Sequence, residues 1–122
     1  LSFWIITFFM RSTLTLVQIP ATTSFNLVSI DGAPFGAEAT IDLSEAGRIQ
    51  GQAPCNQYFA DQKTVYPWFE AGPIGATRMA CDKLNEETAF FSALSEMTLS
   101  EALGDTLILS NPDGSEMVFQ AP

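Results

Sequence analysis

The sequence predicts an α+β fold in which a curved antiparallel sheet, or a partly open barrel, carries one main helix packed against it. Short apolar runs recur about every ten residues between Gly, Pro, Asn and Asp, which is typical of antiparallel strands. One segment has apolar side chains at helical spacing. A length of 122 residues, with 47% hydrophobic and 16% charged residues, suits one domain with one core.

The strands are predicted from apolar runs that alternate with polar residues. We predict strands at residues 25–30, 40–43, 48–52, 56–60, 72–76, 99–103, 106–109 and 116–119. Asp31-Gly32 and Ala46-Gly47 are turn sequences between the early strands. Asn111 to Gly114 predicts the last hairpin, because Pro112 presets the first central turn position and Gly114 can adopt the left-handed conformation.

The helix is predicted to begin near Asp82 or Asn85, either of which can cap it. Glu86 and Glu87 then occupy the first turn, where the helix dipole favours acids. Successive helical residues do not face each other, so we expect a solvated first turn and not a pair of cooperating carboxylates. The apolar stripe of the helix is expected to be core and consists of Phe90, Leu94 and Met97, with Phe91 and Ala93 beside them.

Composition excludes several function classes. The net charge of −9, from 14 acidic and 5 basic residues, disfavours nucleic acid and anionic lipid. The sequence contains no His, which removes the usual general base and the commonest metal ligand. We therefore expect no catalytic residues, no metal site, no cofactor and no enzymatic activity. A cationic patch on a protein or solubility alone would suit the charge, and solubility carries most of the weight. We expect a monomer, with a protein partner of unspecified identity.

Residues 1–23 form an apolar extension before the domain at residues 24–122. The run from Leu1 to Met10 is shorter than the roughly 20 apolar residues of a membrane helix, so we expect no integral membrane span. The run is either the remnant of an export signal or an artefact upstream of a true start at Met10, and a buried strand is a third interpretation. An export signal implies the periplasm or cell envelope, and the second interpretation implies the cytoplasm.

Two cysteine-bearing stretches give the sequence a family likeness. They are Gly51-Gln52-Ala53-Pro54-Cys55-Asn56-Gln57-Tyr58 and Ala76-Thr77-Arg78-Met79-Ala80-Cys81. Followed by a Glu-rich helix and the Leu107-Ile108-Leu109 hairpin, they resemble the META domain family, which includes HslJ-like bacterial heat-shock proteins. The resemblance covers about residues 25–119, and its motif residues are Gly51, Cys55, Asn56, Thr77, Arg78 and Cys81.

The resemblance implies a compact α+β domain of the cell envelope, associated with heat shock and stress tolerance and without an established enzymatic activity. This chain departs from the family pattern at two places. Phe25 stands where the first strand of the family commonly opens with Trp, and the segment from Tyr66 to Phe69 is unusually rich in aromatic residues. Neither departure affects the predicted fold.

Cys55 and Cys81 are predicted to form a disulfide. The even number of cysteines and an export signal would agree with that pairing. The bond would close a loop of about 26 residues and stabilise the domain by roughly 3.5 kcal/mol. The alternative is a pair of buried free thiols in a reducing cytosol.

Asn56 and Arg78 each allow two interpretations. Asn56 can hold the local backbone through side-chain hydrogen bonds or contact a ligand. Arg78 can pair with a neighbouring carboxylate or bind an anionic group of a ligand.

The aromatic segment also allows two interpretations. Tyr66, Trp68 and Phe69 either plug the edge of the sheet or form a binding surface. A small-molecule or peptide site made of these three residues and Arg78 is the alternative to a protein-binding function.

Overall fold

The computed structural model describes residues 24–122, which form nine strands and one helix within that range. In chain order the strands are β1 Ser24–Ile30, β2 Ala33–Pro34, β3 Thr40–Asp42, β4 Arg48–Gln52, β5 Gln57–Asp61, β6 Gly75–Ala76, β7 Leu99–Leu103, β8 Thr106–Ser110 and β9 Glu116–Gln120. The helix α1, Leu84–Glu96, lies between β6 and β7. The predictions for residues 1–23 lie outside the described residues.

All strands belong to one antiparallel sheet with the order β6-β5-β4-β3-β1-β9-β8-β7, and β2 pairs with β1. The first and last strands are therefore neighbours at its centre, where Leu27 pairs with Phe119. The sheet is curved but open, and it does not close into a barrel. This confirms the predicted α+β class.

One face of the sheet packs with α1 to form the core. Along β5, Tyr58 and Ala60 are buried while their neighbours point outward, as the two-residue period of a strand requires. Phe90 and Leu94 of α1 are fully buried, and the Phe90 ring meets the Tyr58 ring edge-on at 5.4 Å between centroids. Burial of a large apolar side chain contributes about 1.5–3 kcal/mol, so the predicted stripe fastens the helix to the sheet.

The segment between β5 and β6 folds back toward the opposite edge of the sheet. Gln62 pairs with Ala71 at its base, and Trp68 forms an antiparallel bridge with Leu99 of β7. The edge strand β7 therefore has a backbone neighbour on its outer side. This placement decides which aromatic residues of the segment reach the surface.

The structure corrects the prediction at the start of the helix and at two short strands. The helix begins at Leu84 with Lys83 as its N-cap, and no side chain caps it. Asp82 lies one residue before the cap and Asn85 lies inside the helix, so neither caps it as predicted. The strand expected at residues 72–76 is limited to Gly75–Ala76, and β2 was not predicted.

Candidate functional site

Gly51 lies where β3 approaches β4 closely. A Cβ at residue 51 would overlap the carbonyl oxygen of Thr40 and lie 3.0 Å from its Oγ1. The same carbonyl accepts a 2.7 Å hydrogen bond from the Tyr58 hydroxyl, and Thr40 Oγ1 accepts one from the Gln52 backbone N–H at 2.9 Å. Burial, with the nearby Asp42 carboxylate, raises the pKa of Tyr58, so its hydroxyl remains a donor.

Cys55 and Cys81 form a disulfide with their Cα atoms 5.8 Å apart, as predicted. The bond ties the loop after β4 to the segment that leads into α1. Cys55 is buried and Cys81 is exposed, and the Cys81 sulfur accepts the Lys83 backbone N–H at 3.3 Å. The sequence separation of 26 residues corresponds to about 3.5 kcal/mol of stabilisation in the loop-entropy model.

The Asn56 side chain uses all of its hydrogen-bonding groups inside the protein. Its Nδ2 donates to Glu87 Oε2 at 2.8 Å and to the Met79 carbonyl at 3.1 Å. Its Oδ1 accepts from the Thr77 hydroxyl at 2.9 Å and from the Met79 backbone N–H at 2.6 Å. An amide offers two donors and two acceptor lone pairs, so this 3% exposed residue is satisfied, and it holds the backbone as one of its two interpretations predicted.

Glu87 is a buried carboxylate, which corrects the prediction of a solvated first turn. It is 6% exposed, and its Oε1 accepts the backbone N–H groups of Cys55 and Asn56, each at 2.9 Å. Its position explains the burial, because Glu87 precedes Phe90 by three residues and shares the inward face of α1. The helix thus supplies the acceptor that the tight loop around Cys55 needs.

We call the disulfide and the side chains of Asn56, Thr77 and Glu87 the motif junction. It joins the loop after β4, the segment before α1 and α1 itself. Thr77 Oγ1 also accepts the Gln57 backbone N–H at 3.2 Å. Arg78 lies between two residues that bond to Asn56, yet its own side chain is exposed. The ion pair and the ligand contact considered for Arg78 both stay predictions.

The segment from Val65 to Phe69 pairs with β7 and presents apolar side chains outward. The Ser100 backbone N–H donates to the Pro67 carbonyl at 2.7 Å, and the Phe69 N–H donates to the Thr98 carbonyl at 2.9 Å. The Ala102 N–H donates to the Tyr66 hydroxyl at 3.2 Å. We call the exposed side chains here the aromatic surface, which consists of Val65, Tyr66, Trp68 and Leu99.

Phe69 does not belong to this surface, which corrects the predicted ligand-binding set. It is 1% exposed and lies in the core, whereas Trp68 is 57% exposed. Pairing with β7 gives the segment a local two-residue period, so adjacent side chains point to opposite sides. Phe69 fills the core, whereas Tyr66 and Trp68 are exposed, and their role as a binding surface stays a prediction. Arg78 is anchored beside Asn56 and not on β7.

Sequence reasoning missed a polar concavity of about 430 Å³ on the outward face of the sheet. We call it the outer-face concavity, and its lining includes Ser24, Asp42, Arg48, Gln50, Gln57 and Phe59. The Arg48 Nε donates to Gln50 Oε1 at 3.3 Å, and the guanidinium carbon lies 5.3 Å from the Phe59 ring centroid. The alternation of Arg48, Gln50 and Gln52 along β4 could have identified part of this face, but outward-facing Phe59 interrupts the polar pattern in β5.

Neither the motif junction nor the outer-face concavity has the donor set of a metal centre. Among residues 24–122, no three His, Cys, Asp or Glu side chains lie close enough to hold a metal ion. The single helix of that range is too short to span a bilayer. What the junction does chemically is to satisfy buried backbone groups and cross-link the chain.

The sequence model of the META domain family matches residues 15–122. The chain belongs to the META domain family. The match extends over the disulfide, the motif junction, α1 and the closing hairpin. In this META domain the two cysteine-bearing stretches are therefore parts of one structural unit, although they are separated along the chain.

Solved structures share the fold of this META domain at low sequence identity. An NMR structure of a protein from Burkholderia xenovorans has a TM-score of 0.65 and 23% identity, with 91% of this chain and 87% of that chain covered. A crystal structure of a DUF4847 family protein from Bacteroides vulgatus has a TM-score of 0.64 and 12% identity, with 86% and 96% covered. No curated protein matches the sequence. These likenesses establish the fold alone.

Proposed function

We propose that this META domain is a non-catalytic module of the bacterial cell envelope that binds a protein partner through the aromatic surface. The observation that carries the proposal is an exposed apolar surface held in fixed geometry. Trp68 is 57% and Val65 77% exposed, while the backbone beside them is hydrogen-bonded to β7. Because its conformation is already fixed, binding here loses little conformational entropy. Exposed Trp and Tyr side chains are also typical of binding hot spots.

The charge around the aromatic surface indicates the chemistry of the partner. Exposed acids flank it at Glu70, at Glu101 on β7 and at Glu45, and they outnumber the two cations beside it, Arg48 and Lys63. The whole chain has a net charge of −9. A partner with an apolar pocket and a basic rim would be complementary, with the pocket supplying affinity and the rim supplying orientation and association rate.

The disulfide supports a location outside the cytoplasm. Disulfides persist in oxidising compartments, whereas reducing systems in the cytosol keep thiols free. The bond between Cys55 and Cys81 is also part of the motif junction, so an oxidising compartment is where this domain would be most stable.

A non-catalytic role is supported by how the motif residues are used. Asn56 has each hydrogen-bonding group paired within the protein, and both motif sulfurs are bonded to each other. The chain also lacks His, so the commonest base for activating a nucleophile is missing. The stress-related role that the family resemblance implies would then be exerted through the partner.

Site-specific photo-cross-linking in cells of the source bacterium tests the proposal. A photoreactive residue at position 68 is expected to yield one dominant protein adduct after heat stress, whereas the same residue at exposed Asp113 in the β8–β9 turn should not. With the purified adduct partner, Trp68→Ala should weaken binding by about 2 kcal/mol or more, as for a hot-spot residue, and Asp113→Ala should not. Equal cross-linking at both positions would overturn the proposal.

The compartment is tested separately by alkylating thiols in intact cells before any reductant is added. We expect the protein in the envelope fraction with neither cysteine modified. A cytoplasmic protein with two modified cysteines would contradict the envelope assignment.

A further inference from the structure

The outer-face concavity is built on one cross-strand row of residues. Ser24 pairs with Asp42, Asp42 with Gln50 and Gln50 with Phe59, from β1 across β3 and β4 to β5. Directly paired residues point to the same face of a sheet. With strands about 4.8 Å apart, the row extends for about 14 Å across the face. Gln52 and Gln57 are paired with each other on the same face, beside the row.

Phe59 provides a fixed apolar platform at one end of this row. Its ring covers Gly75 of β6, since a Cβ at residue 75 would lie 2.6 Å from the ring. The Arg48 guanidinium packs at 5.3 Å from the ring centroid. Covering a glycine in a neighbouring strand is a sufficient structural reason for an aromatic residue here. Phe59 is nevertheless still 49% exposed with both contacts in place, so apolar surface remains beside the amides.

The polar side chains of Asp42 and Gln50 in the row, and of Arg48 beside it, are held by hydrogen bonds but can form more of them. Arg48 Nε donates to Gln50 Oε1, and Asp42 Oδ1 accepts the Ser44 backbone N–H at 2.8 Å. A guanidinium has five N–H donors and a carboxylate about four acceptor positions. The concavity therefore offers donors from Arg48, acceptors from Asp42 and both kinds from the Gln50 amide.

The charge and shape of the concavity select among ligand classes. Asp42 and Arg48 offset each other, and the net charge of −9 disfavours phosphate-bearing ligands. A peptide would bring backbone groups that need partners, but the backbones of β4 and β5 are already paired with each other over five residues. A hydroxyl both donates and accepts, so a neutral polyhydroxylated ligand matches the lining, with its C–H faces against Phe59.

We propose that the outer-face concavity is a binding site for a short neutral oligosaccharide. Asp42, Gln50 and the adjacent glutamines hydrogen-bond its hydroxyl groups, and Phe59 stacks on a sugar ring. This site contains none of the four residues of the aromatic surface, although Arg48 also lines a neighbouring cavity with Val65 and Tyr66. It adds a second ligand to the proposed partner-binding function and does not depend on that function.

The test is a titration of the full chain with short neutral cello-, malto- and chito-oligosaccharides, followed by amide NMR and calorimetry. We expect at least one series to shift the side-chain amide signals of Gln50, Gln52 and Gln57 saturably. Phe59→Leu, which still covers Gly75, should weaken binding about tenfold, equivalent to 1.4 kcal/mol. Phe59→Trp should keep the affinity, and Trp68→Ala should match the wild type. Gln50→Ala and Asp42→Asn should each weaken binding as well. Both variants keep Phe59 and its packing over Gly75, so they test the site without changing that contact.

Three results would overturn the assignment. The first is the absence of saturable shifts with every saccharide series. The second is a set of shifts confined to Val65, Tyr66 and Trp68, which would place the sugar on the aromatic surface. The third is tighter binding of inorganic phosphate or of a short peptide at the Gln50 amide. Partner cross-linking at position 68 is read independently, so failure of one proposal is distinguishable from failure of the other.

Discussion

At the scale of single residues, two adjacent glutamates have different roles. Glu87 accepts three hydrogen bonds in the interior, whereas Glu86 remains partly exposed. The sequence contained part of this information, because Glu87 lies at helical spacing from Phe90 and Leu94. Composition alone favours a solvated acid, and the acceptor role depends on a loop 31 and 32 residues away.

Replacing Glu87 by Ala should therefore destabilise the domain far more than replacing Glu86. Glu87→Ala leaves three buried donors without their acceptor, and we expect the free energy of unfolding to fall by about 3 kcal/mol. Glu86→Ala is the matched control and should change it by less than about 0.5 kcal/mol. Urea denaturation followed by tryptophan fluorescence measures both, and equal losses would contradict the structural role of Glu87.

Asp42 makes the stability of the domain depend on pH in the acid range. The Ser44 side chain and backbone N–H hydrogen-bond its carboxylate and hold the Asp42 pKa below its usual value, against a smaller opposing effect of burial. A carboxyl group whose pKa is lower in the folded state stabilises the fold at pH values above its unfolded-state pKa, which is near 3.9. This stabilisation is lost as the pH falls through the lower, folded-state pKa. Asp42 thus stabilises the fold at neutral pH and not in strong acid.

The variant Asp42→Asn should remove this part of the pH dependence. Between roughly pH 5 and pH 2, the wild type should lose more free energy of unfolding than the variant, because only the wild type takes up a proton at residue 42. Urea denaturation at a series of pH values measures the difference. Parallel pH profiles for the two proteins would contradict the assignment.

At the scale of elements, strand periodicity predicted the longer strands but not the two-residue ones. In β4, buried Ile49 lies between polar Arg48 and Gln50, and this pattern can be read from sequence. Strands such as Ala33–Pro34 and Gly75–Ala76 are too short to show a period, and they exist because a longer partner strand pairs with them. The helix stripe was predicted, but its cap was not, because Lys83 caps the helix without a side-chain bond.

A substitution at Gly51 tests whether the stability of the domain requires the close approach of β3 to β4. Gly51→Ala would press a methyl group against the Thr40 carbonyl, and the strain of such overpacking is expected to cost about 1–3 kcal/mol of stability. Gly36→Ala is the control, since a Cβ there has no neighbour within 4 Å among the described atoms. Thermal unfolding of the two variants gives the comparison, and similar melting temperatures would show that the strands separate easily.

At the scale of the whole molecule, long-range contacts determine features that sequence patterns do not fix. The alternation within the aromatic segment could not be assigned to a face until its pairing with β7 was known, and that pairing places Trp68 outside and Phe69 inside. Likewise, the row of residues that lines the outer-face concavity can be recognised only when the order of its four strands is known. The sequence has two cysteines, so it allowed a single disulfide pairing, but the hydrogen bonds from Asn56 to Met79 and Glu87 became visible only in three dimensions.

The motif junction fastens α1 to the sheet. A double-mutant cycle of Asn56→Ala and Glu87→Ala, measured by urea denaturation, tests this function of the junction. We predict that the two losses are not additive, with a coupling energy of about 1–3 kcal/mol from the shared charged hydrogen bond. Losses that add within about 0.5 kcal/mol, with each substitution nearly neutral alone, would contradict the claim.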